Sequence, residues 1–260
     1  MYNAIPMEST CATIAALLGI DPPSDAHEPC SLVLDYVKAQ LPKCERVIMY
    51  NPDAIAMHMW QKYPELYTPV LSLMPLPIPI CTVMPSVTPV CFASMYTGVS
   101  PAVHGIRKYE KPVLKRDTIF DCCIRAGKKC AIVSTEGDSI SKIFLERDMD
   151  YYIYPTMEEV NEKAHQLILE DRYDLLVIYN TNFDSIMHRH GPESPEALVA
   201  LDGNCKEYAA IASLLRQTGR KTVLAFAPDH GCHEIDGGAG SHGLDMEEDL
   251  NILHFWKCIG

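Results

Sequence analysis

Short apolar runs alternate with stretches of helical spacing along most of this chain. Arg46–Tyr50 (RVIMY), Cys130–Ser134 (CAIVS), Asp174–Asn180 (DLLVIYN) and Thr222–Phe226 (TVLAF) are bounded by polar or turn residues, as buried strands are. Tyr151–Tyr154 is a shorter candidate strand. Helical periodicity occupies Glu8–Gly19, Ser31–Gln40, Ala54–Lys62, Thr118–Ala126, Met157–Glu170 and Pro195 to about Leu215. Ser9 or Thr10 is expected to cap the first of these. Residues 69–85 are apolar, but their repeated prolines argue for a buried extended connection. Apolar strands alternating with helices predict an α/β fold: a mostly parallel central sheet with helices on both faces. No repeat, low-complexity tract or linker interrupts the pattern, so one domain over residues 1–260 is expected.

One stretch departs from this rhythm. In Met84–Ile106, MPSVTPVCFASMYTGVSPAVHGI, a Pro-rich approach leads into a short helical run. Pro89 suits the first helical position, which places Thr88 at the N-cap, and Gly98 suits the stop. A phosphate held beside Thr88 would then meet first-turn N–H groups that lack intrahelical partners. A Thr-Pro pair is also an ordinary cap, so this stretch alone makes Thr88 only a candidate nucleophile.

Composition narrows the chemistry. Of 260 residues, 48% are hydrophobic and 22% charged, which is ordinary globular usage. Acidic residues outnumber basic ones 34 to 22, for a formal charge of −12, and no long Lys/Arg run occurs. Long nucleic acids are therefore poor partners, whereas a small phosphorylated substrate stays compatible if metal ions reverse the local field. The cysteines number eleven, are scattered and contain no C-x-x-C, so reduced thiols in a cytoplasmic protein are expected. No apolar run suits a membrane span, and nothing in the pattern fixes an oligomeric state, a homodimer included.

Three strand ends carry acidic residues, and ligands bind at the carboxyl ends of parallel strands. The first strand runs out at Asp53, the DLLVIYN strand at Asp184 with His188 four residues on, and TVLAF at Asp229-His230. His242 follows in the Gly-rich GAGSHG. Singly, each has an ordinary structural use: a cap for Asp53, a solvated i, i+4 pair for Asp184 and His188, a polar turn for Asp229-His230. Together they form a mixed N/O set suited to two zinc-like ions.

These segments resemble the alkaline phosphatase superfamily, most closely its nucleotide pyrophosphatase/phosphodiesterase branch. The resemblance runs from about Arg46 to Ile252, through Asp53, the Thr88 segment ending in TGVSPAVHGI, FDSIMHRHGPES, PDHG and SHGLDMEEDLNI. It implies that one metal is held by Asp184, His188 and His242. The other is implied at Asp53, Asp229, His230 and the Thr88 oxygen. The implied activity is a metal-dependent phosphoester hydrolase, acting on mono- or diesters, with two divalent ions (Zn, or else Mn or Mg) and an in-line attack by Thr88. A phosphomutase of the same superfamily, or a non-catalytic metal- or phosphate-binding protein, are the alternatives. A sulfatase is disfavoured because a Cys/Ser-x-Pro-x-Arg segment is missing.

Two residues depart from the pattern at candidate substrate-binding positions. Tyr109 stands where the diesterase branch has an Asn shortly after HGI, and Cys91 follows Thr88 by three residues. Arg107 and Lys108 are further candidate contacts, and there is no room for a large cap domain after His104. Ser9–Pro23, STCATIAALLGIDPP, looks like a segment that relatives carry after the last metal-binding His. A circular permutation is therefore expected, which requires the Glu8–Gly19 helix to pack near Asp245–Trp256.

Overall fold

The computed structural model describes residues 1–260. Its main sheet has eight strands: β1 (Ile5–Pro6), β2 (Arg46–Pro52), β3 (Leu76–Cys81), β4 (Cys130–Thr135), β5 (Asp150–Tyr154), β6 (Leu175–Asn180), β7 (Thr222–Phe226) and β10 (Asn251–Ile259). Their order is β1-β3-β10-β7-β2-β6-β4-β5. A separate hairpin joins β8 (His233–Ile235) to β9 (Ala239–Ser241). Within the main sheet only β10 is reversed, running antiparallel to both β3 and β7.

Alternation along the strands divides the core between two faces. Val47, Met49, Val177, Val223 and Ala225 join one buried cluster with residues of the helices Ser9–Leu18, Ser31–Gln40 and Thr88–Thr97. Ile48, Tyr50, Ile178, Leu224 and Phe226 join the other, beneath the helices Met157–Glu170 and Pro195–Thr218. The expected α/β architecture is thus present, without a large cap. No helix is long and apolar enough to cross a membrane. All eleven cysteines carry free thiols.

Three parts of the sheet were not expected: β3, β10 and the two-residue β1. β3 forms inside the Pro-rich connection because Pro77 and Pro79 fall on alternate residues. Cys81, in the same phase, turns its carbonyl toward β1, where it accepts the Met7 N–H at 2.9 Å. The missing N–H groups of Pro77 and Pro79 therefore face away from β10 and remove no bond from that ladder. β10 reads poorly as a strand because nearly all of it is buried on both faces, so polar Asn251, His254 and Lys257, spaced three apart, interrupt an apolar run without strand alternation.

The N-terminal segment lies against β10. Asn3 N–H donates to Asn251 Oδ1 at 2.8 Å, and the Tyr2 hydroxyl donates to Asp245 Oδ1 at 2.6 Å. Cys11 and Ile14 of the Ser9–Leu18 helix share a core cluster with Ile252 and Trp256. The helix packs on the helices Thr88–Thr97, Ser31–Gln40 and Ile119–Arg125 and on β2. The helix itself has no side-chain cap; the Ser9 hydroxyl instead donates back to the Pro6 carbonyl at 2.7 Å.

Candidate active site

The carboxyl ends of β2, β6 and β7 lie side by side, with β2 in the middle. β2 ends in Pro52, and Ala54 at φ 62° turns the chain so that Asp53 stays buried between its neighbours. The Asp53 N–H donates to the Asn180 carbonyl at 2.9 Å, and the Ala54 N–H to Asp229 Oδ1 at 3.3 Å. After β6, the helix Asn182–His190 carries Asp184 and His188 on one face. After β7, the loop carries Asp229 and His230. Its Gly231 is required by space, since an added Cβ would lie 1.9 Å from the Glu248 carbonyl oxygen. β9 brings in His242, and Gly240 lets that strand pass so close to the helix that a Cβ there would lie 2.6 Å from the Met187 carbonyl oxygen.

The residues form two groups, Asp53/Asp229/His230 and Asp184/His188/His242, each compact enough to hold one cation. His230 Nε2 lies 3.3 Å from Asp53 Oδ1, 3.4 Å from Asp229 Oδ2 and 3.2 Å from Thr88 Oγ1. Asp184 Oδ1 lies 3.2 Å from His188 Nε2 and 3.5 Å from His242 Nε2. The groups meet through the stacked rings of His230 and His242, with centroids 4.0 Å apart.

All three imidazoles are oriented in the same way. Nδ1 of His188 lies 3.0 Å from the Gly240 carbonyl, that of His230 2.9 Å from the Gly231 carbonyl, and that of His242 2.9 Å from the Ser86 carbonyl. A carbonyl only accepts, so each Nδ1 carries the hydrogen and each neutral ring offers an Nε2 lone pair. His188 and His242 then bring two such lone pairs within 3.2 Å. Asp53 Oδ1, Asp184 Oδ1 and Asp229 Oδ2 are buried and accept no hydrogen bond. Buried carboxylate oxygens without donors, facing imidazole lone pairs, are a donor set that fits cations. The other oxygen of Asp53 is held by the Tyr179 hydroxyl.

The electrostatics agree. Burial, followed by the charges of Asp229 and Asp184, holds the Asp53 carboxyl well above the usual range. Burial pushes Asp229 up to about 7. Burial also lowers His230 and, with His230 beside it, pushes His242 down to about 4. At Asp184 burial acts upward, but the close contact with His188 and the other two imidazoles outweighs it, and the carboxyl lies below its ordinary value. The nearby Asp184 carboxylate raises His188 in turn.

Thr88 is buried at the start of its helix, one position later than a cap. Val87 is the N-cap: its carbonyl accepts both the Val90 and the Cys91 N–H at 3.0 Å, and Pro89 has none to offer. Only the Thr88 N–H of the first turn is left for an anion, fewer donors than a Thr88 cap would leave. In exchange the Thr88 hydroxyl makes no capping bond and faces His230. Gly98 closes the helix in the left-handed region, as expected.

The candidate substrate contacts divide. Cys91 points into the core, fully buried, with the Thr82 hydroxyl 3.3 Å from its sulfur, and does not reach the site. Helical spacing leaves Cys91 within about 60° of Thr88 around the axis but carries it about 4.5 Å further along it, past the mouth of the site and into the core. Arg107 turns back to the Ala102 carbonyl at 3.0 Å, and Lys108 pairs with Glu110 at 3.4 Å. Tyr109 does line the cavity of about 510 Å³ that contains Asp53, Thr88 and Asp184. Lys111 and Tyr179 line it too and were missed. Tyr179 reads as a core residue of its strand, and the only signal for Lys111 is its spacing of two from Tyr109. His104 of the HGI motif is structural: Ile106 N–H donates to Nδ1 at 3.2 Å, and Nε2 lies 3.0 Å from Ser94 Oγ.

Comparisons with known proteins agree with this fold. No family profile matches the chain. Human GPI ethanolamine phosphate transferase 2, catalytic subunit, is 27% identical over 179 residues, covering 64% of this chain and 18% of that protein. Human ectonucleotide pyrophosphatase/phosphodiesterase 5 superposes with a TM-score of 0.61 at 16% identity, over 74% of this chain and 58% of that one. The murine enzyme, as an inactive variant in complex with AMP, gives 0.60 at 15% identity, over 74% of this chain and 59% of that one. Phosphonoacetate hydrolase from Sinorhizobium meliloti 1021, in complex with phosphonoformate, gives 0.57 at 19% identity, over 75% and 59%. The chain thus spans less than two thirds of each of these proteins. Its resemblance to the alkaline phosphatase superfamily, and to its nucleotide pyrophosphatase/phosphodiesterase branch, extends from the motifs to the fold.

Proposed function

We propose that this protein is a metal-dependent phosphoester hydrolase that uses Thr88 as nucleophile on a small phosphorylated substrate. The observation that carries the reading is the convergence of three donorless carboxylate oxygens and three oriented Nε2 atoms around the free Thr88 hydroxyl. Asp53, Asp229, His230 and Thr88 Oγ1 would hold an inner cation, and Asp184, His188 and His242 an outer one. When bound, two divalent ions, zinc before manganese or magnesium for this N/O set, would supply positive charge at the attacking and leaving oxygens.

The residues themselves do the rest. Without a cation, His230, with its hydrogen fixed at Nδ1, presents an acceptor 3.2 Å from Thr88 Oγ1, so the hydroxyl oxygen and the Nε2 atom that would share the inner cation are already side by side. The Thr88 oxygen gives up its proton to solvent and forms a bond to phosphorus as the bond to the leaving oxygen breaks, giving phospho-Thr88, and the leaving oxygen takes a proton from solvent and departs as the alcohol. The Thr88 N–H can donate to a phosphoryl oxygen at that stage. Water then attacks the same phosphorus and returns the hydroxyl. Tyr179 keeps Asp53 from rotating while this happens.

The similarity to a phosphate transferase favours a second reading, in which an alcohol instead of water takes the group from Thr88. Hydrolysis of p-nitrophenyl phosphate and bis-p-nitrophenyl phosphate with added Zn, Mn or Mg tests the first reading. Turnover that depends on metal and disappears in Thr88→Ala supports it, and equal rates for both proteins with every metal would overturn it. Product analysis in the presence of an alcohol acceptor separates hydrolysis from transfer.

A further inference from the structure

We propose that Lys111 is a specificity-determining residue that reads an anionic group on the leaving side of the substrate. The inference rests on the phosphoester reading of the site and adds the substrate class. Apart from the imidazoles, Lys111 is the only basic side chain lining the cavity that holds Thr88 and Asp184. Its ammonium is anchored from behind: Nζ donates to the Gly137 carbonyl at 2.9 Å and lies 5.2 Å from the centroid of the Tyr109 ring. One of three N–H donors is used, and no carboxylate pairs with it, so two donors and a full charge face the cavity.

The neighbouring acids do not cancel that charge. Asp138 is committed to its own turn, where Oδ1 accepts the Ser141 N–H at 2.8 Å and Oδ2 the Thr135 hydroxyl at 3.2 Å. Glu136 stands exposed at the rim and makes no ion pair. Little of the lining is apolar, so a hydrophobic leaving group finds no matching wall. A carboxylate or second phosphate a few bonds beyond the reacting phosphorus, in contrast, meets a fixed ammonium.

The test uses metal-loaded protein and ligands of matched size, with affinities measured by calorimetry. Ethyl phosphate has a neutral tail, 2-phosphoglycolate a carboxylate, ethylene glycol bisphosphate a second phosphate and O-phosphoethanolamine a cation. Either anionic ligand should bind about tenfold more tightly than ethyl phosphate, the worth of one charge-assisted hydrogen bond, and the tighter of the two names the group. Lys111→Gln should erase that gap and leave ethyl phosphate unchanged, and Lys111→Arg should keep most of it. A gap absent from the wild type, a gap that survives Lys111→Gln, or tightest binding of O-phosphoethanolamine would each overturn the proposal. Failure of the hydrolase reading is recognised separately: anion discrimination persists, but p-nitrophenyl phosphate turnover does not depend on Thr88. No binding of any phosphate ligand overturns both.

Discussion

The two clusters at the sheet edge contain nearly the same chemistry in opposite surroundings. Asp53, Asp229 and His230 are 3%, 0% and 0% exposed, whereas His188 is 40%, Asp184 17% and His242 8% exposed. The inner cluster is set on the ends of β2 and β7 at the centre of the sheet. The outer one is set on a helix and on the end of a hairpin. Burial explains why the inner carboxyls are pushed up, while at Asp184 the imidazole contacts win and the group is pulled down. The difference teaches that the inner cluster cannot hold its charges without a cation or a proton, whereas the outer carboxylate is relieved by its imidazole neighbours and its greater exposure. We therefore expect the inner cation to be tightly held and tied to folding, and the outer one to exchange.

The largest test of that contrast removes the inner chemistry. Asp53→Asn and Thr88→Ala should each lower the rate by roughly 10⁴-fold or more, because the nucleophile or its neighbouring charge is lost. Asp53→Asn should also lose the inner metal on elemental analysis, and Thr88→Ala should retain it. Retention of two tightly held metals by Asp53→Asn would break the assignment.

Next comes the metal-free protein. Asp229, at about 7 when folded against an ordinary value of 3.8, binds a proton in the folded state that the unfolded chain releases. Its contribution to stability is therefore fully present below about 4 and is lost as pH rises through 7. Asp229→Asn has no such proton, so the variant should gain on metal-free wild type by a few kcal/mol between pH 4 and pH 8. Urea unfolding after chelation measures this, and parallel pH curves would show that the inner charges are already compensated.

A smaller effect is expected at the outer cluster. His188→Ala should weaken one metal by roughly 10–100-fold and lower activity at limiting metal, with recovery when metal is raised. Folding stability after chelation should hardly change, since His188 is half exposed on its helix. A variant that unfolds on chelation more readily than wild type would contradict the division into buried and exchangeable sites.

Particular residues show what the sequence could and could not make legible. Asp53, Asp184 and Asp229 were readable because parallel strands deliver whatever follows them to one edge, and the strands themselves announce their ends. Met157–Glu170 and Thr222–Phe226 have the expected bounds, since periodicity and flanking polar residues agree there. β3 was illegible because the phase of prolines against a neighbouring strand is a tertiary property. The Thr88 cap was placed one residue late, because Val87 accepts the first-turn bonds through its carbonyl, a group every residue has. Cys91 was misread because its depth along the helix places it in the core. Lys111 was missed because its role depends on Gly137, which approaches only once β4 is in place. Where a residue's place follows from its own neighbours in the chain the structure puts it where the sequence reading did, and where the place depends on a distant backbone it does not.

The smallest test concerns what keeps the inner cluster inner. Tyr179 is buried on β6, packs edge-on against Phe92 with ring centroids 5.0 Å apart, and donates its hydroxyl to Asp53 Oδ2. That bond satisfies one carboxylate oxygen and leaves Oδ1 as the only atom free for a cation. Tyr179→Phe keeps the packing and removes the donor, so Asp53 gains freedom to rotate and loses a partner that favours its charged form. Inner-metal affinity should fall about tenfold, at the low end for a residue that orients a metal ligand, while the outer affinity stays the same. Competition with a chelator of known affinity reads both sites in one titration. If the two affinities fall together, the clusters act as one coupled centre, and the difference in burial does not separate their metals.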